Sequence, residues 1–155
     1  DWLKNALLNS TATFKIIVTG SQVINPLSKA ECMRVYSYEY NELLNFLSES
    51  KIPGILFFTG DRHHSEVNKV ERSGIYPLFD VTISPYTASI SRVKGKELKS
   101  PYRIPNTLVE AQNFGKINVS GKKNERQLSI SFIGIKGEKL GEWSVSEKEL
   151  KLAGK

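Results

Sequence analysis

Ile55-Leu56-Phe57-Phe58-Thr59-Gly60-Asp61-Arg62-His63-His64 is the stretch on which the fold turns. Four consecutive apolar residues closed by Thr59 bury both faces of a strand, as a parallel strand between layers requires. Gly60 then lets the backbone leave the strand sharply. Upstream, Pro53-Gly54 ends an amphipathic helix whose Tyr40, Leu43, Leu44 and Leu47 recur at i, i+3, i+4 and i+7. Before it, Ser21 to Val35 reads as irregular, and Phe14 to Thr19 is a β-branched run closed by Gly20, which predicts another buried strand. Trp2, Leu3, Ala6 and Leu7 predict an opening helix. Helix–strand alternation of this kind implies an α/β sheet in the first half.

Beyond Tyr76 the character changes. Val81 to Ser84 predicts a further strand, and Ser89 to Val109 a polar connection longer than an ordinary loop, expected to cover something. The tail is β-rich, with strands predicted over 116–119, 127–135 and 140–145 and a turn at Lys136-Gly137. No repeat, low-complexity tract or linker divides the chain, so residues 1–155 read as one domain.

The two histidines of the chain, His63 and His64, are adjacent and follow Asp61 just past a strand end. Ligands of open α/β sheets bind outside the carboxyl ends of the strands. If the backbone there stays extended, Asp61 and His63 share a face, and a carboxylate with an imidazole suits a hard or borderline metal ion. Arg62 then points away, toward solvent or a phosphate. The plain alternative is a turn aspartate beside a surface histidine, and two ligands are too few for a catalytic metal site.

Gly60-Asp61-Arg62-His63-His64-Ser65-Glu66 resembles the last metal-binding motif of calcineurin-like phosphoesterases, in the form found in the PhoD-type alkaline phosphatases. Asp1-Trp2-Leu3, Ser10 to Ile16, Ser84-Pro85 and Asn113-Phe114-Gly115-Lys116 resemble segments flanking it in that family, in the same order. The resemblance implies an α/β fold, part of a calcineurin-like layered α/β/β/α sandwich with a β-rich C-terminal extension. It implies a metal-dependent phosphoric ester hydrolase acting on a phosphomonoester or phosphodiester. Two metal ions are implied, iron and calcium, with Asp61 and His63 as ligands. His64 is implied as a catalytic residue that hydrogen-bonds phosphate, supports the ligands or is structural. Arg62 and Gln22 are candidates for substrate contact, Gln22 also reading as a turn residue. The family's earlier motifs, which carry most ligands, are not found here. The N-terminal half of the domain is therefore expected to be missing and the isolated fragment inactive. Kinship also suggests a secreted or periplasmic location.

The balance of 22 basic and 16 acidic residues gives a net charge of +6. The basic residues are scattered, which fits a solvated surface, and nucleic acid enters only as a substrate or in a rival reading as a basic binding domain. A second rival is a non-catalytic binding module with a vestigial metal motif. No run of about 18 apolar residues occurs, so no membrane-spanning helix is expected. The single cysteine, Cys32, allows no intrachain disulfide. The opening helix starts at the second residue without an initiator Met, so the chain is expected to belong to a longer one.

Overall fold

The computed structural model describes residues 1–29 and 32–152. Helix α1 (Trp2–Asn9) leads to strand β1 (Lys15–Val18), and helix α2 (Ser37–Ser50) crosses over to β2 (Ile55–Thr59). A hairpin of β3 (Glu66–Arg72) and β4 (Ile75–Thr82) follows, then β5 (Asn113–Ser120), β6 (Gln127–Gly134) and β7 (Lys139–Ser146). The first sheet has the order β1-β2-β4-β3, and the second, β5-β6-β7, is antiparallel throughout. Strands β1, β2 and β4 are mutually parallel neighbours, while β3 runs antiparallel on β4.

Alternation along β2 separates two cores. Ile55 and Phe57 face α1 and α2, joining Leu7, Leu47 and Leu78. Leu56 and Phe58 face the second sheet, where Leu128, Ile130, Phe132 and Val145 close the sandwich. Trp143 of β7 packs against Phe79 of β4 with ring centroids 5.0 Å apart, a contact that also fixes which strands overlie one another. The result is a helix–sheet–sheet stack. The fourth, helical layer of the expected sandwich has no counterpart among the described residues, since both α-helices pack on the first sheet.

Several elements differ from expectation. The strand near residue 15 is not buried but lies at the sheet edge, with Val18 77% exposed. β4 begins six residues before Val81, and β3 is new. Within the irregular stretch over 21–35, residues 30 and 31 lie outside the described ones. The long connection over 89–109 does cover something. It lies along the free border of β3, where the Lys69 N–H donates to the Tyr102 carbonyl, the Ile104 N–H to Val67, and Ser65 exchanges two bonds with Val109.

Candidate functional site at the carboxyl edge of the first sheet

The strands β1, β2 and β4 point their carboxyl ends at an open crevice of about 720 Å³ lined by Val18, Gly20, Ser21, Thr59, Asp61 and Ile83. Gly60 donates its N–H to the Gly20 carbonyl at 3.0 Å, tying the β1 and β2 exits together. The chain then curls: the Arg62 N–H reaches back to the Gly60 carbonyl at 2.8 Å, and Asp61 and His63 take positive φ values of 65° and 58°. Left-handed backbone costs a residue with a Cβ about 1–2 kcal/mol, though Asp and His tolerate it better than most. The surroundings hold it in place. The His63 N–H donates to Ser84 Oγ at 3.0 Å, and the Ser91 N–H donates to the His63 carbonyl at 2.9 Å.

This curl corrects the premise that the segment stays extended. Asp61 lines the crevice, whereas the His63 ring lies toward the loop after β4, its Nδ1 3.3 Å from Ser89 Oγ. Arg62, expected toward solvent or a phosphate, is partly buried. Its guanidinium donates to Ser28 Oγ at 2.9 Å and pairs with Glu97 at 2.5 Å, strapping residues 95–99 over the 25–28 loop. Gln22 is wholly buried, its amide donating to Glu66 Oε1 and Thr82 Oγ1, both at 2.8 Å. A buried amide is stabilised by such protein partners, and these hold Gln22 against the sheet. His64, which the family resemblance implied as catalytic, is also interior at 2% exposure. Its Nε2 is 3.7 Å from Glu66 Oε1, too long for a hydrogen bond, and neither ring nitrogen has a hydrogen-bond partner.

Beneath the crevice lies a polar network of which the sequence singled out Gln22 and, at the end of the quoted motif, Glu66, but not Asn68, Asp80 or Arg103. Burial alone would raise the Glu66 carboxyl, but the hydrogen bonds donated by Arg103, Asn68 and Gln22 outweigh it and hold the group well below the usual carboxylate range. Arg103 Nε donates to Glu66 Oε2 at 2.6 Å, bringing the long connection onto β3. Asp80, in the middle of β4, accepts from Thr59 Oγ1 at 2.6 Å and from the Val23 and Ile24 N–H groups at 2.7 and 3.1 Å. Burial pushes its carboxyl up to about 6 despite those donors. A lone acid in Leu78-Phe79-Asp80-Val81 was the available signal for it, and Glu66 stood two residues past His64.

The donor types at Asp61 and His63 suit a metal ion, but their number does not. Among the described residues no group of three or more His, Cys, Asp or Glu side chains is placed to hold one, and a catalytic ion takes three or more protein ligands.

No protein-family model matches this sequence, and no curated protein matches it. Among solved structures, one described as "Structure of PhoD" superposes with a TM-score of 0.74 at 13% sequence identity, over 97% of this chain and 33% of that one. The chain has a PhoD-like fold and spans about a third of the PhoD chain's length. No helix is long and apolar enough to cross a membrane among the described residues.

Proposed function

We propose that this chain is one part of a phosphoric ester hydrolase and contributes Asp61 and His63 to a metal-dependent site whose remaining ligands come from polypeptide outside it. The observation that carries the reading is the Asp61 carboxylate, set on a strained turn inside a crevice at the carboxyl ends of three parallel strands. Strain of this kind persists only where neighbouring bonds enforce it, and it gathers at functional sites. The PhoD-like fold supports the reaction class without assigning any residue.

Metal ions at such a site supply Lewis acidity toward a phosphoryl oxygen. The chain's own residues do the positioning. The Gly60–Gly20 and Ser84–His63 bonds hold Asp61 and His63 at the sheet edge. Arg62, Gln22 and His64 act beneath them as supports, through Ser28, Glu97, Glu66 and Thr82. Iron and calcium remain the proposed pair, and export from the cytoplasm the proposed location.

The test is hydrolysis of p-nitrophenyl phosphate and bis-p-nitrophenyl phosphate by the 155-residue chain and by its longer parent, with metal content measured alongside. The isolated chain should turn over neither ester. In the parent, Asp61→Asn and His63→Ala should each lower kcat/KM by at least about 100-fold and reduce bound metal. An active parent that tolerates both substitutions would end the proposal.

A further inference from the structure

The connection after β4 concentrates positive charge in one surface segment. Between Asp80 and Glu110 the chain has the cations Arg92, Lys94, Lys96, Lys99 and Arg103 and a single acid, Glu97. That acid is already neutralised from below by Arg62, and Arg103 is drawn inward by Glu66. Arg92, Lys94, Lys96 and Lys99 are left exposed, and none makes an ion pair or side-chain hydrogen bond among the described residues.

The backbone fixes which way these side chains point. Val93 is buried, and its N–H donates to Glu110 Oε1 at 2.7 Å. Arg92 and Lys94 flank it and turn outward, as neighbours of an inward residue do in extended chain. In the short 3-10 helix over Gly95–Lys99, side chains three apart eclipse, so Lys96 and Lys99 share a side. Arg103 pins that turn by donating to the Glu97 and Leu98 carbonyls at 2.7 and 3.3 Å. Two aliphatic side chains stand among the cations and reach into solvent, Ile90 at 46% exposure and Leu98 at 55%.

Charge complementarity calls for an anionic partner, and the interleaved residues indicate which one. Single-stranded nucleic acid stacks its bases on aromatic rings, and no aromatic residue lies between Tyr86 and Tyr102. A soluble polyanion offers Ile90 and Leu98 nothing to enter. A bilayer with anionic headgroups accommodates both kinds of side chain, cations at the phosphates and aliphatic tips at the acyl boundary.

We infer that residues 90–99 form a peripheral docking surface for anionic phospholipid membranes, with Arg92, Lys94, Lys96 and Lys99 at the headgroups and Ile90 and Leu98 just below them. The segment lies on the bilayer and does not cross it. Its Ser91 N–H holds the His63 carbonyl at 2.9 Å, which sets the surface beside the crevice, but the inference stands whichever chemistry the crevice performs.

The 155-residue chain is sedimented with vesicles of phosphatidylcholine alone, and with vesicles carrying about 30% phosphatidylserine. Each cation near such a surface strengthens partitioning by about fivefold, so the anionic vesicles should bind at least about 100-fold more tightly than the neutral ones. Lys96→Glu with Lys99→Glu should weaken that binding by at least about 25-fold. Lys122→Glu with Lys123→Glu makes the same change in net charge at the far end of the first sheet, where Lys123 stands beside Lys15 at the start of β1. Screening should limit its effect to less than about fivefold. Leu98→Ser leaves the charge untouched and should weaken binding by at least about threefold. All five side chains are exposed, so each variant should keep its Tm within about 3 °C, which separates lost binding from lost folding. Equal binding to the two kinds of vesicle overturns the inference, as does an equal loss from the two double variants, which would make net charge alone responsible. Unchanged binding by Leu98→Ser, or tighter binding to a single-stranded oligonucleotide than to anionic vesicles, overturns it too.

Discussion

Asp80→Asn isolates the cost of keeping a carboxylate inside the first sheet. In the fold the group titrates at about 6, against 3.8 when unperturbed, chiefly because it is buried. The folded chain therefore binds this proton more tightly than the unfolded chain does. The associated stability is fully present below pH 3.8 and is lost as pH rises through about 6. A difference of roughly two units corresponds to about 3 kcal/mol. The amide introduced by the substitution does not titrate, and its oxygen can still accept from the Val23 and Ile24 N–H groups. Thr59 Oγ1 turns from donor to acceptor to meet the new amide N–H. Urea unfolding of both proteins at pH 3.5 and pH 7, read by tryptophan fluorescence, in which buried Trp143 rather than exposed Trp2 changes surroundings, gives the difference directly. The stability of the native sequence minus that of the variant should fall by about 3 kcal/mol between those pH values. Glu66 moves the other way on acidification, since its stabilisation is lost as pH drops below the ordinary carboxylate range. It is present in both proteins and largely cancels. A difference constant to within about 0.5 kcal/mol across the range would refute the argument that burial governs Asp80.

Arg103→Met removes the guanidinium from a carboxylate whose side chain is 1% exposed, and should cost about 3–5 kcal/mol in the same urea assay. Gly54 and Gly137 have matching φ values of 80° and 81°, but a Cβ at Gly54 would lie 2.0 Å from the Thr13 carbonyl oxygen while one at Gly137 meets nothing within 4 Å. Gly137→Ala should therefore cost only the left-handed backbone penalty of about 1–2 kcal/mol. Gly54→Ala should cost clearly more, or prevent folding altogether, and equal midpoints for the two variants would contradict the clash.

The parts of the fold that were legible in the sequence are those whose pattern is set locally. β2 is an unbroken apolar run because it is covered on both faces, and α2 shows its stripe at 3.6-residue spacing. β6 alternates cleanly because its outer face is more open than its inner one. β3 escaped because Glu66 and Asn68, two of its inward positions, are polar. Their burial is made tolerable by Gln22 and Arg103, residues 44 and 37 positions away from Glu66, and no local pattern records such distant partners. β1 was read as interior because Ile16 and Val18 have interior composition, while the chain in hand leaves them uncovered. At the site, residue types were readable but directions were not. Spacing puts Asp61 and His63 on one side only for an extended backbone, and two left-handed residues in three change that geometry.

The hem that residues 102–109 sew along β3 bears on how this sheet behaves in a crowded solution. Fibrils lengthen when each molecule offers one unsatisfied margin to the neighbour before it and another to the neighbour after it. With the β3 margin finished, two molecules meeting through this sheet can form a closed couple, but neither has a second margin on it from which a filament could grow.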